Sequence, residues 1–160
     1  MKAHFEGKAT QTLIGYEVKK RLLGFPAARV PIYRMQLDRH DPMRFWSEQF
    51  GQWFRPDMVF SHDQGSIPLQ FQCLSWIPGL DLRRDRFVRP YAFHDCAYME
   101  QGLWTWNPIA FLWDKESFDR KKADALLPEM IVADYGTKAE AEAIYAAVRV
   151  GGGPLWHSHD

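Results

Sequence analysis

The chain of 160 residues carries twenty Lys and Arg against twenty Asp and Glu, is 46% hydrophobic, and holds seven Trp, six Tyr and eleven Phe. That length and composition predict one globular domain that buries roughly 70% of its unfolded surface. A formal charge of zero argues against nucleic acid as a partner, which needs a basic face, and two cysteines argue against a disulfide framework or a Cys-rich zinc site.

The opening MKAHFEGKATQT lacks the apolar core of a secretory signal. No run approaches the roughly 18 apolar residues of a membrane span, so folding in a reducing cytoplasm is expected. TLIGYEVKKRLLG (12–24) places Leu13, Ile14, Val18, Leu22 and Leu23 at helical steps before Gly24, predicting a short helix. RVPIYRMQL (29–37) alternates loosely and predicts a strand, with Pro31 suggesting an edge. In DPMRFWSEQFGQWF (41–54), Asp41 sits at an N-cap position and Pro42 at the following residue. Phe45, Trp46, Gln49, Phe50 and Trp53 then predict a helix whose aromatic stripe is core, the alternative being contact with a membrane surface or a ligand.

Residues 55–68 read as a turn-rich loop, and 69–88 as irregular, with LRRDRF (82–87) a solvated run. Pro90 opens a helix across 91–101, stopped by Gly102, and 104–117 reads as an insertion between helices. SFDRKKADALLPEMIVADYG (117–136) predicts a helix capped at Ser117 and ended by Gly136, with Asp124 on its apolar stripe. TKAEAEAIYAAVRVGG predicts a final helix, since Thr137 and Glu140 form a capping box and Gly151 is a natural stop. The expected fold is mainly α, with a small β- and loop-rich N-terminal part and two or three packed C-terminal helices. Residues 1–160 are expected to form a single domain: an N-terminal extension (1–55), a core (56–152) and a flexible tail (153–160).

The polar residues are the candidates for chemistry. On a helix with about 100° per residue, His94 and Tyr98 share a face while Asp95 points a quarter turn away. His94 and Asp95 therefore need different partners. Asp124 is the candidate for His94, because a carboxylate on an apolar stripe costs several kcal/mol unless paired. The plainer alternative pairs Asp124 with a tyrosine or a backbone amide. Pro128 has no N–H for the carbonyl of residue 124, so a kink is expected there. Asp63, in the loop SHDQGS, is the candidate neighbour of Asp95. Two carboxylates with loop carbonyls suit calcium better than zinc, although an Asp in a turn is more often a cap. His62 with Asp63 and His94 at a transition metal, the order of an HD-type phosphohydrolase, and metal binding by His157 and His159 are the remaining options.

Three stretches, FSHDQGSIP (60–68), AFHDCAY (92–98), and KKADALLPEM with IYAAVRVGG (121–130, 144–152), resemble a phage and prophage family of unknown function. That family has a Thr-Asp-x-x-Ser-Ile-Pro loop, a His-Asp-x-x-Tyr helix, an Ala-Asp helix and a closing Tyr-x-Ala-Val-Arg helix. The resemblance spans roughly residues 56–152; His62 stands where the family has Thr, Leu69 where it tends to have Arg, and 103–117 is extra. More distantly, the pattern is similar to the phospholipases A2 of bacteria, fungi and parvovirus capsids. The spacing from His94 to Asp124 is longer than in the bacterial enzymes, and the disulfides of the secreted enzymes are absent.

The resemblance implies a phospholipase A2-like core. His94 would be the general base and Asp124 its orienting carboxylate. Asp63, Asp95 and the carbonyl of Gln64 would hold calcium, with Tyr98 and Ser66 supporting the site from behind. The implied partners are a phospholipid or membrane surface for an enzyme, and phage structural proteins for a non-enzymatic virion or tail component. A metal hydrolase acting on cell wall or nucleotide is a third reading. An enzyme needs His94 reachable in a cleft, whereas a structural network would bury it under aromatics.

Overall fold

A computed structural model of the chain describes residues 1–19, 28–63, 77–83 and 85–151. Among these, eight strands and three helices replace the mainly α expectation. One sheet has the order β1(His4–Glu6), β4(Arg44–Ser47), β5(Gln52–Arg55), β7(Gly102–Asn107), β8(Leu112–Ser117). The other has the order β2(Ala9–Lys19), β3(Ala28–Leu37), β6(Val59–His62), and every pairing in both is antiparallel. The helices are α1(Val88–Met99), α2(Arg120–Ala133) and α3(Lys138–Gly151). No helix among the described residues is long and apolar enough to cross a membrane.

Two helices expected from spacing are strands. Residues 12–19 belong to β2, paired with β3 across a bulge at Leu13/Gly15. Residues 44–55 form the β4–β5 hairpin, which turns at Gly51 with φ 64°. Its aromatics alternate between faces, as a pleated strand requires. Phe45 pairs with Phe54 on the inner face, both fully buried, and Trp46 pairs with Trp53 on the outer face, both half-buried. The stripe is thus only half core. A helical reading arose because both faces of the hairpin are apolar, which hides the period of two.

The 29–37 strand is borne out as β3, although it lies between β2 and β6. Pro31 is tolerated because β6 pairs only with Tyr33–Gln36. Residues 59–62 of the expected loop form β6, and Leu82 and Phe87, within the expected solvated run, are fully buried. The 104–117 insertion is the β7–β8 hairpin.

The helices lie close to their expected places, with shifted ends. Pro90 is the third residue of α1 rather than its first. Asp119, not Ser117, caps α2, accepting from the Lys122 amide at 2.6 Å. Pro128 does lie inside α2. The inner face of the larger sheet receives α1 and α2: Phe93 of α1 meets Phe5 and Phe45 edge-on, and Phe118, just before α2, meets Phe54. Each buried Phe contributes about 1.5–3 kcal/mol. Glu129 of α2 accepts from the Ser47 hydroxyl at 2.5 Å and from the amides of Glu48 and Gln49, tying the β4–β5 turn to the helix.

The capping box of α3 forms as expected. Thr137 donates through its amide (2.7 Å) and hydroxyl (3.0 Å) to Glu140, and the Glu140 amide donates back to Thr137 Oγ1. The Glu140 carboxylate also takes the Asp81 amide at 3.0 Å and the Arg86 guanidinium. Burial pushes the Glu140 pKa up, but these donors outweigh it and hold the group below its ordinary 4.5. Glu140→Gln is expected to cost about 1.5–3 kcal/mol at neutral pH, since bonds to a charged acceptor are lost. The deficit should be full above pH 4.5 and close as pH falls through the still lower folded pKa, because protonation removes the same charge from the wild type. Denaturant unfolding of both proteins from pH 7 to pH 3 checks this, and a deficit that does not change with pH would refute it.

Candidate functional site

Helix α1 is buried along most of its circumference, from Pro90 through His94 and again at Cys96, Ala97 and Tyr98. His94 and Tyr98, one turn apart, present their rings to α2 with centroids 4.3 Å apart. Asp124, on the buried side of α2, is fully inaccessible, and His94 is 1% exposed. His94 Nε2 lies 3.0 Å from Asp124 Oδ1, and the Tyr98 hydroxyl donates to the same oxygen at 2.5 Å. The partner expected for His94 and the tyrosine alternative for Asp124 are therefore both present.

Two arginines complete the cluster. Arg149 of α3 donates to Asp124 Oδ2 at 2.7 Å, and Arg120, one turn before Asp124, lies 3.5 Å from the same oxygen. Arg120 also donates to the Tyr98 hydroxyl (3.2 Å) and to the carbonyls of Val148 (2.9 Å) and Arg149 (2.7 Å). Neither arginine was singled out by sequence reasoning. The signal for Arg120 was its place four residues before a carboxylate expected to be buried. Arg149 lay in the motif AAVRV, where the sequence says nothing about which helix it faces.

Burial pushes the Asp124 pKa up, but donation from His94, Tyr98 and Arg149 brings it below its ordinary 3.8, so the group is ionised. An ionised carboxylate only accepts, so His94 must carry its proton on Nε2. Burial holds the His94 pKa below 6.5, against the pull of Asp124 and with the help of the Arg120 charge. The ring is therefore neutral near pH 7, with Nε2 as its donor to Asp124. Burial raises the Tyr98 pKa, and the Asp124 charge adds to this. Cys96 is no reactive thiol, because burial pushes it up to about 12.

The proposed cation ligands are placed in part. Asp95 is half-buried on α1, and Asp63 is buried one residue past the end of β6, a strand that packs against α1. Gln64, Ser66, His157 and His159 lie outside the described residues. Two carboxylates on adjoining elements fit a hard cation by ligand type. Among the described residues, no group of three or more His, Cys, Asp and Glu side chains is disposed to hold a metal, so His62, Asp63 and His94 do not assemble as one. His62 is buried against Tyr33 and Phe60, neither ring nitrogen has a hydrogen-bond partner, and burial lowers its pKa to about 4. No family model, curated protein or solved structure matches this chain.

Asp124→Ala leaves the Tyr98 hydroxyl, the His94 ring and two guanidinium groups without their shared acceptor. The expected loss is about 3–5 kcal/mol of folding stability. Arg149→Ala, which removes a partly exposed donor, should cost much less. Chemical denaturation of the two variants checks the order, and equal costs would show that Asp124 is not the hub.

Proposed function

We propose that the protein is a phage- or prophage-encoded, calcium-dependent hydrolase of lipid esters, with His94 as its base. The observation that carries this reading is the pairing of His94 with a buried, ionised Asp124, which accepts from Nε2–H and fixes the tautomer of a neutral imidazole. Perturbed titratable groups held by a specific charge partner are a mark of functional sites.

In the proposed reaction, His94 Nδ1 takes a proton from a water molecule, and that oxygen attacks the ester carbonyl. The proton then goes to the leaving alkoxide as the ester C–O bond breaks, giving a carboxylic acid and an alcohol. Asp124 holds the ring in place and offsets the positive charge of the transient imidazolium, while Tyr98 fixes the carboxylate. Asp63, Asp95 and the Gln64 carbonyl would hold calcium, which supplies polarisation of the ester carbonyl. The protein would be made in the host cytoplasm, with its site acting in membrane breach or lysis.

A second reading, a non-enzymatic virion or tail protein bound to other phage structural proteins, is favoured by a different observation. His94 is 1% exposed beneath the Tyr98 ring, the burial expected of a structural network rather than of a base reachable in a cleft, and Arg149 and Arg120 already serve Asp124. In this reading the network ties helices together and the imidazole never needs to ionise.

His94→Gln separates the two: it should abolish ester hydrolysis of mixed phospholipid micelles in calcium while leaving a cooperative thermal transition. Undiminished turnover would sink the base assignment. Calorimetric titration should show calcium binding with a dissociation constant of about 10⁻⁴–10⁻³ M, absent in Asp95→Asn. A well-folded wild type that takes up no calcium at millimolar concentration would shift the assignment to the structural reading.

A further inference from the structure

The outer face of the larger sheet and the tip of its last hairpin have a chemistry that the His94 site does not use. Strand alternation and register place Trp46, Trp53, Trp104, Trp106 and Trp113 on that outer face, all half-buried. The β7–β8 hairpin then runs on to a tip made of Pro108, Ile109, Ala110 and Phe111, all exposed. Ile109 is 90% and Phe111 79% accessible, with Leu112 beside them at 44%.

The tip is built, not frayed. Asn107 Oδ1 accepts from the amides of Ile109 (3.0 Å) and Ala110 (3.1 Å), and Asn107 Nδ2 donates to Asp114 at 3.0 Å. Phe111 has φ 52°, a left-handed position that suits Gly or Asn and strains a bulky side chain. A large aromatic is held there at 79% exposure, its ring meeting only the edge of Trp106 at 6.4 Å, on a backbone that a Gly or Asn would adopt with less strain. Such outliers are the usual ground for a functional hypothesis.

We infer that this hairpin tip docks into the interfacial layer of a lipid bilayer. Along its length the hairpin is graded as a bilayer surface is. The aliphatic and aromatic tip comes first, then the Trp106–Trp113 pair (centroids 5.6 Å apart), and then Thr105, Asp114 and Lys115. Tryptophan with one apolar and one polar end favours that middle depth.

A sugar partner fits less well, because it would need open ring faces. Arg55 lies over Trp104 and Trp113, Arg44 lies over Trp53, and Trp46 packs edge-on against Trp53. Charge narrows the lipid as well. Residues 102–117 carry Lys115 against Asp114 and Glu116, so the hairpin offers no attraction to anionic headgroups. Binding is to neutral, phosphatidylcholine-like surface, through apolar burial.

The inference deepens the hydrolase reading by naming the surface the protein works on, but its evidence is independent of His94. The test is vesicle flotation with phosphatidylcholine in EDTA, which removes calcium-dependent turnover and so reads docking alone. Wild type is compared with Ile109→Ser/Phe111→Asn. The wild type should bind, with its tryptophan emission shifted to the blue, and keep binding in 0.5 M salt. The variant should partition at least about tenfold more weakly while melting at the same or a higher temperature, since Asn suits the backbone at 111. Binding in EDTA without hydrolysis in calcium would uphold docking and remove the enzyme.

Three outcomes overturn the inference. The wild type fails to float with the vesicles, the variant binds as well as the wild type, or salt abolishes binding. A wild-type dimer on gel filtration that the variant loses, with no flotation, assigns the tip to a second copy of the chain and overturns it too.

Discussion

A single carboxylate, that of Asp124, has to be satisfied for the three helices to lie where they do. Burying it alone would cost several kcal/mol, and its own helix supplies only Arg120 among the donors seen. The rest come from His94 and Tyr98 on α1 and Arg149 on α3. Arg120 then closes the circuit by donating to Tyr98 and to two carbonyls near the end of α3. A shift of α2 breaks bonds to both of the others, and a shift of α1 or α3 breaks its bonds to α2. A hydrophobic contact tolerates sliding, and a charge with several directional donors does not.

The same arithmetic bears on catalysis. One negative carboxylate faces two guanidinium groups, so the cluster already carries a surplus of positive charge before His94 takes a proton. Burial and the Arg120 charge both hold the imidazole neutral. That suits a base at rest and opposes the imidazolium that turnover requires. In the hydrolytic reading, the carboxylates of Asp95, next to His94 on α1, and of Asp63, just past β6, would have to act beside a cation rather than as extra counter-charges.

How much of this was legible in the sequence follows from where each signal is local. The capping box at Thr137 and Glu140, the shared face of His94 and Tyr98, and the apolar stripe bearing Asp124 depend on residues within a turn or two of one another. Each of them was found. Arg149 could not be assigned, because its role depends on the packing of α3 against α2, a relation that spacing does not encode. The N-terminal half misled for a physical reason. Phe45, Trp46, Phe50 and Trp53 fit three- and four-residue steps, yet Phe45 and Trp46 belong to one short strand, Trp53 to the next, and Phe50 to the turn between them. When the outer face of a sheet is as aromatic as the inner one, the period of two disappears from the sequence.

That doubly apolar sheet also explains why residues 103–117 read as an insertion without a role. Their inner face, at Leu103, joins the core, so the hairpin is not an appendage. It follows α1 after only Glu100 and Gln101, and Gln101 has φ 47°, which reverses the chain sharply. The helix bearing His94 and the hairpin bearing Ile109 and Phe111 are thus coupled nearly rigidly. The sheet stands between the inner layer, where Phe93 of α1 packs on Phe5 and Phe45, and the Trp-lined outer face. A lipid surface gripped by the tip would therefore meet the protein at the end of the sheet. It would fix the orientation of α1 relative to the bilayer without covering His94 from the tryptophan side. In such an arrangement the hairpin would orient the protein on the surface, with the packed sheet fixing the helix that bears His94 relative to it.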